Sequence, residues 1–246
     1  MARSCIFCGS TGEMSREHVI PQWLEGELTN GQTASYIGTH FAPLFSHEIS
    51  NRKASKNSHT FKQVCGSCNN GWMSKLEVDF KGILPRLVQD INPRAYSKTE
   101  RQKIASWVFK TAMIGHHSAN YKEILPIGLA REFFGSFNLP KSLVIHIGRM
   151  MQRDSLVTSQ SSFNYAVLSK ESAYNVDLAS NSFQYSIGFL NLFLRLSWHS
   201  FDCQTHRSTM GNLTENQFYP HPERCATLKE YDDIFDVGLN IYLREL

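Results

Sequence analysis

Two CxxC pairs, Cys5/Cys8 in "SCIFCGS" and Cys65/Cys68 in "VCGSCNN", constrain this chain more than any other feature. A CxxC turn presents both sulfurs on one side of a tight loop. Two such turns brought together make a tetrahedral thiolate site suited to zinc. The long stretch between the pairs is no obstacle, because the cost of closing a loop grows only slowly with its length. The spacing therefore predicts one structural Zn2+ held by Cys5, Cys8, Cys65 and Cys68; a redox dithiol or unrelated thiols account poorly for two pairs. Cys203 and Cys225 have no such spacing and are expected to be small buried hydrophobes.

The start "MARSCIFCGS" has no apolar stretch of the secretory kind, and no run of about twenty apolar residues follows, so a soluble, cytoplasmic chain is expected. In a reducing compartment six cysteines point to metal binding more than to disulfides. Hydrophobic residues at 41% and charged residues at 19% exclude a disordered or fibrous chain, and 246 residues suffice for a full core. A net charge of +3 is weak support for a polyanionic partner. The basic excess lies in the N-terminal half, with seven Lys and Arg against five Asp and Glu in residues 1–75, and three against six in residues 219–246.

The pattern along the chain changes twice. Residues 1–80 are irregular, with a polar stretch from Glu25 to Thr60 between the cysteine pairs. Residues 76–136 have helical periodicity: "KTERQKIASWVFKTAMIGHH" opens on Ser97 or Thr99 as an N-cap, and its apolar residues cover most of the circumference. Lys110, inside that apolar stretch, is expected at an exposed edge. Pro93 and Pro126 mark boundaries, and "IGLAREFFGSF" predicts a further helix. After that the period becomes two. "SFQYSIGFLNLFLRLSWH" places Phe183, Tyr185, Ile187 and Phe189 on one face, then Leu192, Leu194, Leu196 and Trp198, the signal of an antiparallel sheet. The ending "VGLNIYLREL" suits a last strand or helix.

Two short stretches carry chemistry. "SREHVIPQWL" sets Glu17 beside His18, ahead of Pro21 and an apolar anchor, Trp23 and Leu24. Adjacent residues on a strand face opposite sides, although a strand end or bulge can aim both at one place. "VCGSCNNGWMSKLE" sets Asn69 and Asn70 where a helix begins. Asparagine favours caps and turns there, and an amide oxygen is also a ligand for a hard cation. Trp72, Met73 and Leu76 are expected to pack that helix, and Glu77 to pair or bond locally.

The combination CxxC, EHVIPxWL and CxxCNNGWMxxLE resembles the zinc-knuckle branch of the HNH endonucleases, whose core is a ββα-metal fold. The resemblance covers the first third of the chain. It implies an α+β protein: a zinc-stapled ββα-metal nuclease core over residues 1–80, then a helical segment and an antiparallel sheet over 81–246 for target or partner recognition. His18 stands where the family has the general base, Glu17 where it has an acidic ligand of the catalytic divalent metal, and Asn69 where it has a His or Asn ligand. The central asparagine of the family pattern has no clear counterpart; Thr60, Asn57 and His59 lie near its place. A neutral imidazole accepts a proton near pH 7, and a carboxylate with an amide oxygen suits Mg2+ or Mn2+. Arg16, Lys62, Asn70 and Lys75 are candidate nucleic-acid contacts, with Arg52, Lys53 and Lys56 as further basic residues. His40, His47 and His59 are expected at solvated loop positions.

The implied activity is cleavage of phosphodiester bonds, most simply in double-stranded DNA, in restriction, phage defence or a mobile element, and it leaves room for a homodimer or an activating protein partner. The competing expectations are a non-catalytic zinc-dependent nucleic-acid-binding or assembly module, and a redox or zinc-relay protein using the CxxC thiols.

Overall fold

The computed structural model describes residues 3–29, 36–41, 48–54, 60–119, 125–140, 143–149, 156–168, 176–199 and 217–219. Cys203, Cys225, Asn57, His59, His47, Lys56 and the C-terminal "VGLNIYLREL" lie outside the described residues. The protein is α+β, with helices beside sheets that are antiparallel except for one strand pair. Among the described residues no helix is long and apolar enough to cross a membrane.

Strands β1 (Met14–His18) and β4 (Thr60–Cys65) pair antiparallel as a two-stranded sheet. Between them in sequence lie helix α1 (Gln22–Thr29) and strands β2 (Tyr36–Phe41) and β3 (Glu48–Ala54). From β4 the chain runs directly into a helical turn, α2 (Gly66–Cys68), then a π-helical turn over Asn69–Met73 and helix α3 (Ser74–Gln89). Helices α4 (Lys98–Ser118) and α5 (Ile127–Ser136) follow. Strands β5 (Leu143–Arg149), β6 (Leu156–Leu168), β7 (Val176–Phe189), β8 (Leu192–His199) and β9 (Gln217–Tyr219) complete a seven-stranded sheet of order β3-β2-β6-β7-β8-β5-β9.

The large sheet departs from the expected antiparallel pattern at one place: β2 lies parallel to β6. It is also built from both ends of the chain, since β2 and β3 come from the polar stretch between the cysteine pairs. Their sequences, "YIGTHF" and "EISNRKA", have too little apolar alternation to announce strands. The β7–β8 hairpin follows its periodicity: Phe183 pairs with Trp198, Tyr185 with Leu196, Ile187 with Leu194 and Phe189 with Leu192. Those eight side chains are buried on one face. Gln184, Ser186, Arg195 and Ser197 on the other face are buried too.

Helix α4 lies between this sheet and α3. Ser97 is its N-cap: Glu100 N donates to Ser97 Oγ at 3.2 Å while Ser97 N donates to Glu100 Oε2 at 2.8 Å, a reciprocal capping box. Every residue from Ile104 to His116 is buried. Trp107 stacks on Phe80 of α3 at 4.0 Å and meets Phe189 of β7 edge-on at 6.1 Å. His116 is satisfied within the core, donating from Nδ1 to Gln160 Oε1 at 2.8 Å and accepting at Nε2 from Leu125 N at 3.2 Å. Gly115 lets helix and sheet approach closely, for a Cβ there would overlap the Tyr185 ring. The far end of α3 is tied to the sheet by Arg149 and Asn191, which both donate to Val88 O. One continuous hydrophobic core runs from Cys5 to Trp198, so the cysteine knuckles and the sheet are parts of a single packed body.

Candidate metal centre and the adjoining hairpin

Local hydrogen bonds shape each knuckle. In the first, Gly9 N donates to Cys5 O at 2.9 Å and Cys5 N to Ser10 O at 2.8 Å. Gly9 takes φ +75, a left-handed conformation that glycine adopts without steric cost. In the second, Cys65 ends β4 and caps the helical turn after it, with Cys68 N donating to Cys65 Sγ at 3.5 Å. Strand pairing then joins the two. Met14 lies opposite Cys65, Ile6 N donates to Gln63 O at 2.9 Å, and Gly66 N to Glu13 O at 3.3 Å.

The result is a cluster of Cys5, Cys8, Cys65 and Cys68 whose sulfurs all lie within 4.8 Å of one another, with Cys8 Sγ 3.5 Å from Cys65 Sγ. A tetrahedron with Zn–S bonds of about 2.3 Å has sulfurs about 3.8 Å apart. The four free thiols therefore fit a metal ion such as zinc. Burial raises the Cys8 and Cys68 thiols above the usual range. Burial also raises Cys5, but the backbone amides of Cys65, Cys8 and Phe7 outweigh it and leave that thiol lowered. A bound dication would favour all four thiolates together.

A second feature fits the same cation. The Trp72 indole Nε1 is buried and makes no hydrogen bond of ordinary geometry, yet its N–H favours the thiolate form of Cys68. Its ring is held edge-on between Phe7 of the first knuckle at 5.1 Å and Phe133 of α5 at 5.6 Å. An N–H aimed toward a metal-bound sulfur is a common outer partner of such a site. Phe137 closes this aromatic group at 5.8 Å from Trp72, in a left-handed conformation at the end of α5.

The β1–β4 hairpin carries the other candidates. Ser15 pairs with Val64 and Glu17 with Phe61, so one residue of β1 spans two of β4, a bulge that places Lys62 and Gln63 opposite Arg16. Glu17 faces inward and is 7% exposed. His18, the next residue, is half-buried, and Gln22 Nε2 donates to its Nε2 at 3.1 Å. Thr60 is the cross-strand partner of His18. Gln22 escaped the sequence reading; its only signal was a polar residue four positions past His18, at the start of α1.

Asn69 is tied to the same hairpin. Its Nδ2 donates to Ser15 Oγ at 3.1 Å, and Ser15 Oγ donates to Val64 O at 2.9 Å. Its Oδ1 has no hydrogen-bond partner among the described residues. The capping role belongs elsewhere: Cys65 is the N-cap of the turn, and Asn69 already has helical backbone angles. The backbone leaves helical geometry at Gly71, inside the π-helical turn, before α3 continues. Turns of this kind recur at functional sites. Arg16, Lys62, Asn70 and Lys75 are all exposed.

Lys110 corrects an expectation. It is fully buried, not at an exposed edge, with Nζ 2.6 Å from Glu77 Oε1 and 3.6 Å from Glu17 Oε1. The reason is that α4 is covered on all sides, so a cation in its middle needs internal partners, which α3 and β1 provide. Burial raises the Glu17 carboxyl above its ordinary range; Lys110 opposes that and Glu77 adds to it. Comparison with protein-family models, curated proteins and solved structures finds no match to this chain.

Proposed function

We propose that this protein is a metal-dependent endonuclease of the HNH type that hydrolyses phosphodiester bonds in DNA. The observation that carries the reading is the way the thiol cluster sits between β4 and the helix after it. Cys65 ends the strand paired with Glu17 and His18, and Cys68 immediately precedes Asn69. A zinc ion there fixes strand, strand and helix in one register, as a ββα-metal core requires. Residues 1–80 then supply the nuclease unit, and residues 81–246 target or partner recognition.

In this reading Glu17 and Asn69 hold the catalytic Mg2+ or Mn2+, and the open Oδ1 of Asn69 suits such a ligand. The ion, when bound, neutralises charge on the scissile phosphate and the leaving oxygen. His18 accepts the proton of the attacking water, the role an imidazole serves in such a site. Gln22 and Thr60 hold the ring's end of β1 in place. Arg16, Lys62, Asn70 and Lys75 contact the DNA backbone, and their exposure is compatible with that. Free cysteines suit a reducing cytoplasm. A place in restriction, phage defence or a mobile element rests on the family resemblance alone.

The test is cleavage of plasmid DNA, single-stranded DNA and RNA by zinc-loaded protein with Mg2+, Mn2+ or EDTA, alongside His18→Ala and Asn69→Ala. Metal-dependent cutting lost in both variants is expected. Cutting that survives in EDTA, or in His18→Ala, rules the mechanism out.

A second reading, a non-catalytic zinc-dependent nucleic-acid-binding module, is favoured by one observation: Glu17 is buried against Lys110 instead of open to solvent. DNA binding without cleavage under every metal condition would establish it.

A further inference from the structure

We propose that Lys110, on α4, is a positioning residue of the nuclease site, acting through Glu17; the proposal rests on the nuclease reading above. Lys110 is the one Lys, Arg, Asp or Glu in the buried stretch from Ile104 to His116. Stability does not explain it. A buried ion pair replaced by well-packed apolar side chains is often neutral or stabilising, so a leucine or methionine would serve the helix as well.

The geometry is asymmetric in a way that suggests what the lysine does. Glu77 Oε1 takes the ammonium in a charge-assisted hydrogen bond at 2.6 Å, whereas Glu17 Oε1 is an ion-pair partner at 3.6 Å. Glu77 therefore anchors Lys110, and Lys110 draws Glu17. Three elements, β1, α3 and α4, meet at this one ammonium.

Glu17 is drawn inward, and His18, the last residue of β1, is half-buried where Gln22 meets it; a strand end next to a bulge lets both serve one place. Lys110 thus sets the direction of the metal ligand. The cluster is most open at Glu77, whose side chain is 21% exposed against 9% for Glu17 and 0% for Lys110.

The test is Mn2+ binding to the zinc-loaded full chain, read by the electron paramagnetic resonance of free Mn2+, to which zinc is silent. Lys110→Met keeps most of the length of the side chain and removes its charge; Lys110→Arg keeps the charge. We expect Lys110→Met to weaken Mn2+ binding about tenfold or more, as loss of an outer partner does. Lys110→Arg should lie closer to wild type, and Glu77→Gln, which removes the anchor but keeps the shape, should weaken binding in the same direction. Zinc content and urea stability of each variant are the second readout: Mn2+ binding lost in protein that keeps its zinc and its folded stability is an outcome that a purely structural lysine would not give. If Lys110→Met does not fold, Glu77→Gln carries the same comparison. Wild-type Mn2+ binding with indifferent Lys110→Met and Glu77→Gln overturns the role of Lys110 and leaves the nuclease reading standing. So does a loss of Mn2+ binding no larger than the loss of folded, zinc-loaded protein explains. Wild-type protein that neither binds Mn2+ nor cuts DNA overturns both.

Discussion

Asn69 Nδ2 donates to Ser15 Oγ at 3.1 Å, a bond that joins the first residue after the second knuckle to the strand bearing Glu17 and His18. Ser15 passes the connection on to Val64 O at 2.9 Å, so helix, β1 and β4 are linked through one hydroxyl. Ser15→Ala removes the acceptor for the amide and lets Asn69 turn. The expected cost is about 1 kcal/mol of stability, measured by urea denaturation. In the nuclease reading, cleavage falls further than that loss of folded protein explains. Unchanged stability would show that the bond contributes nothing.

Zinc content is the second prediction. Purified protein should carry about one zinc ion per chain, as a closed tetrahedral thiolate site does. Cys8→Ser or Cys68→Ser should abolish it, and a strong chelator should lower the melting temperature of the wild type by at least several degrees. A stoichiometry near zero with intact folding would remove the metal centre.

Trp72 tests how the metal is held. Trp72→Phe keeps a ring against Phe7 and Phe133 but deletes the buried N–H beside Cys68. Zinc affinity should fall by roughly tenfold. In Co2+-substituted protein the thiolate-to-metal absorption should shift, while the melting temperature of the metal-free chain changes little. No spectral shift would separate Trp72 from the sulfur.

Gly115→Ala should be destabilising, because the added methyl meets the ring of Tyr185 where α4 lies on the sheet. The expected loss is about 1–3 kcal/mol by urea denaturation. Gly82→Ala, inside α3 where a Cβ meets nothing within 4 Å, is the control for loss of a helical glycine as such.

The capping box at α4 gives a pH dependence of known sign. Glu100 is held down to about 2, first by the Ser97 backbone N–H and then by Arg86. A carboxyl depressed in the folded state stabilises above its unfolded value of about 4.3 and loses that contribution as pH falls toward its folded value. Stability should therefore decline between those two values, and Glu100→Gln should flatten part of that decline. An identical acid limb in wild type and variant would contradict the assignment.

Much of the local structure was legible because its causes are local. Ser97 caps α4 through a bond to Glu100 three residues on, and the alternation of Phe183 to Phe189 sets one buried face of β7 whatever lies against it. The burial of Met73 and Leu76 with the knuckle helix was equally readable from their spacing. Strands β2 and β3 were not, since their place in the sheet depends on β6, more than a hundred residues away in the chain. Thr60, named for its position, does lie opposite His18, but Gln22 and Ser15 entered the site only through folding.

By itself the sequence determined that four thiols would meet, because two CxxC turns have few other uses in one chain, and the sulfurs do converge. It also determined which short stretches would be helix and which strand along α4, α5, β7 and β8. Only the tertiary structure decided that Glu17 would turn inward and that Lys110 would lie beneath it. A lysine on an apolar helix reads locally as an exposed edge; whether it is buried depends on what α3 and β1 bring to meet it. That meeting is a long-range electrostatic fact, and no local periodicity encodes it.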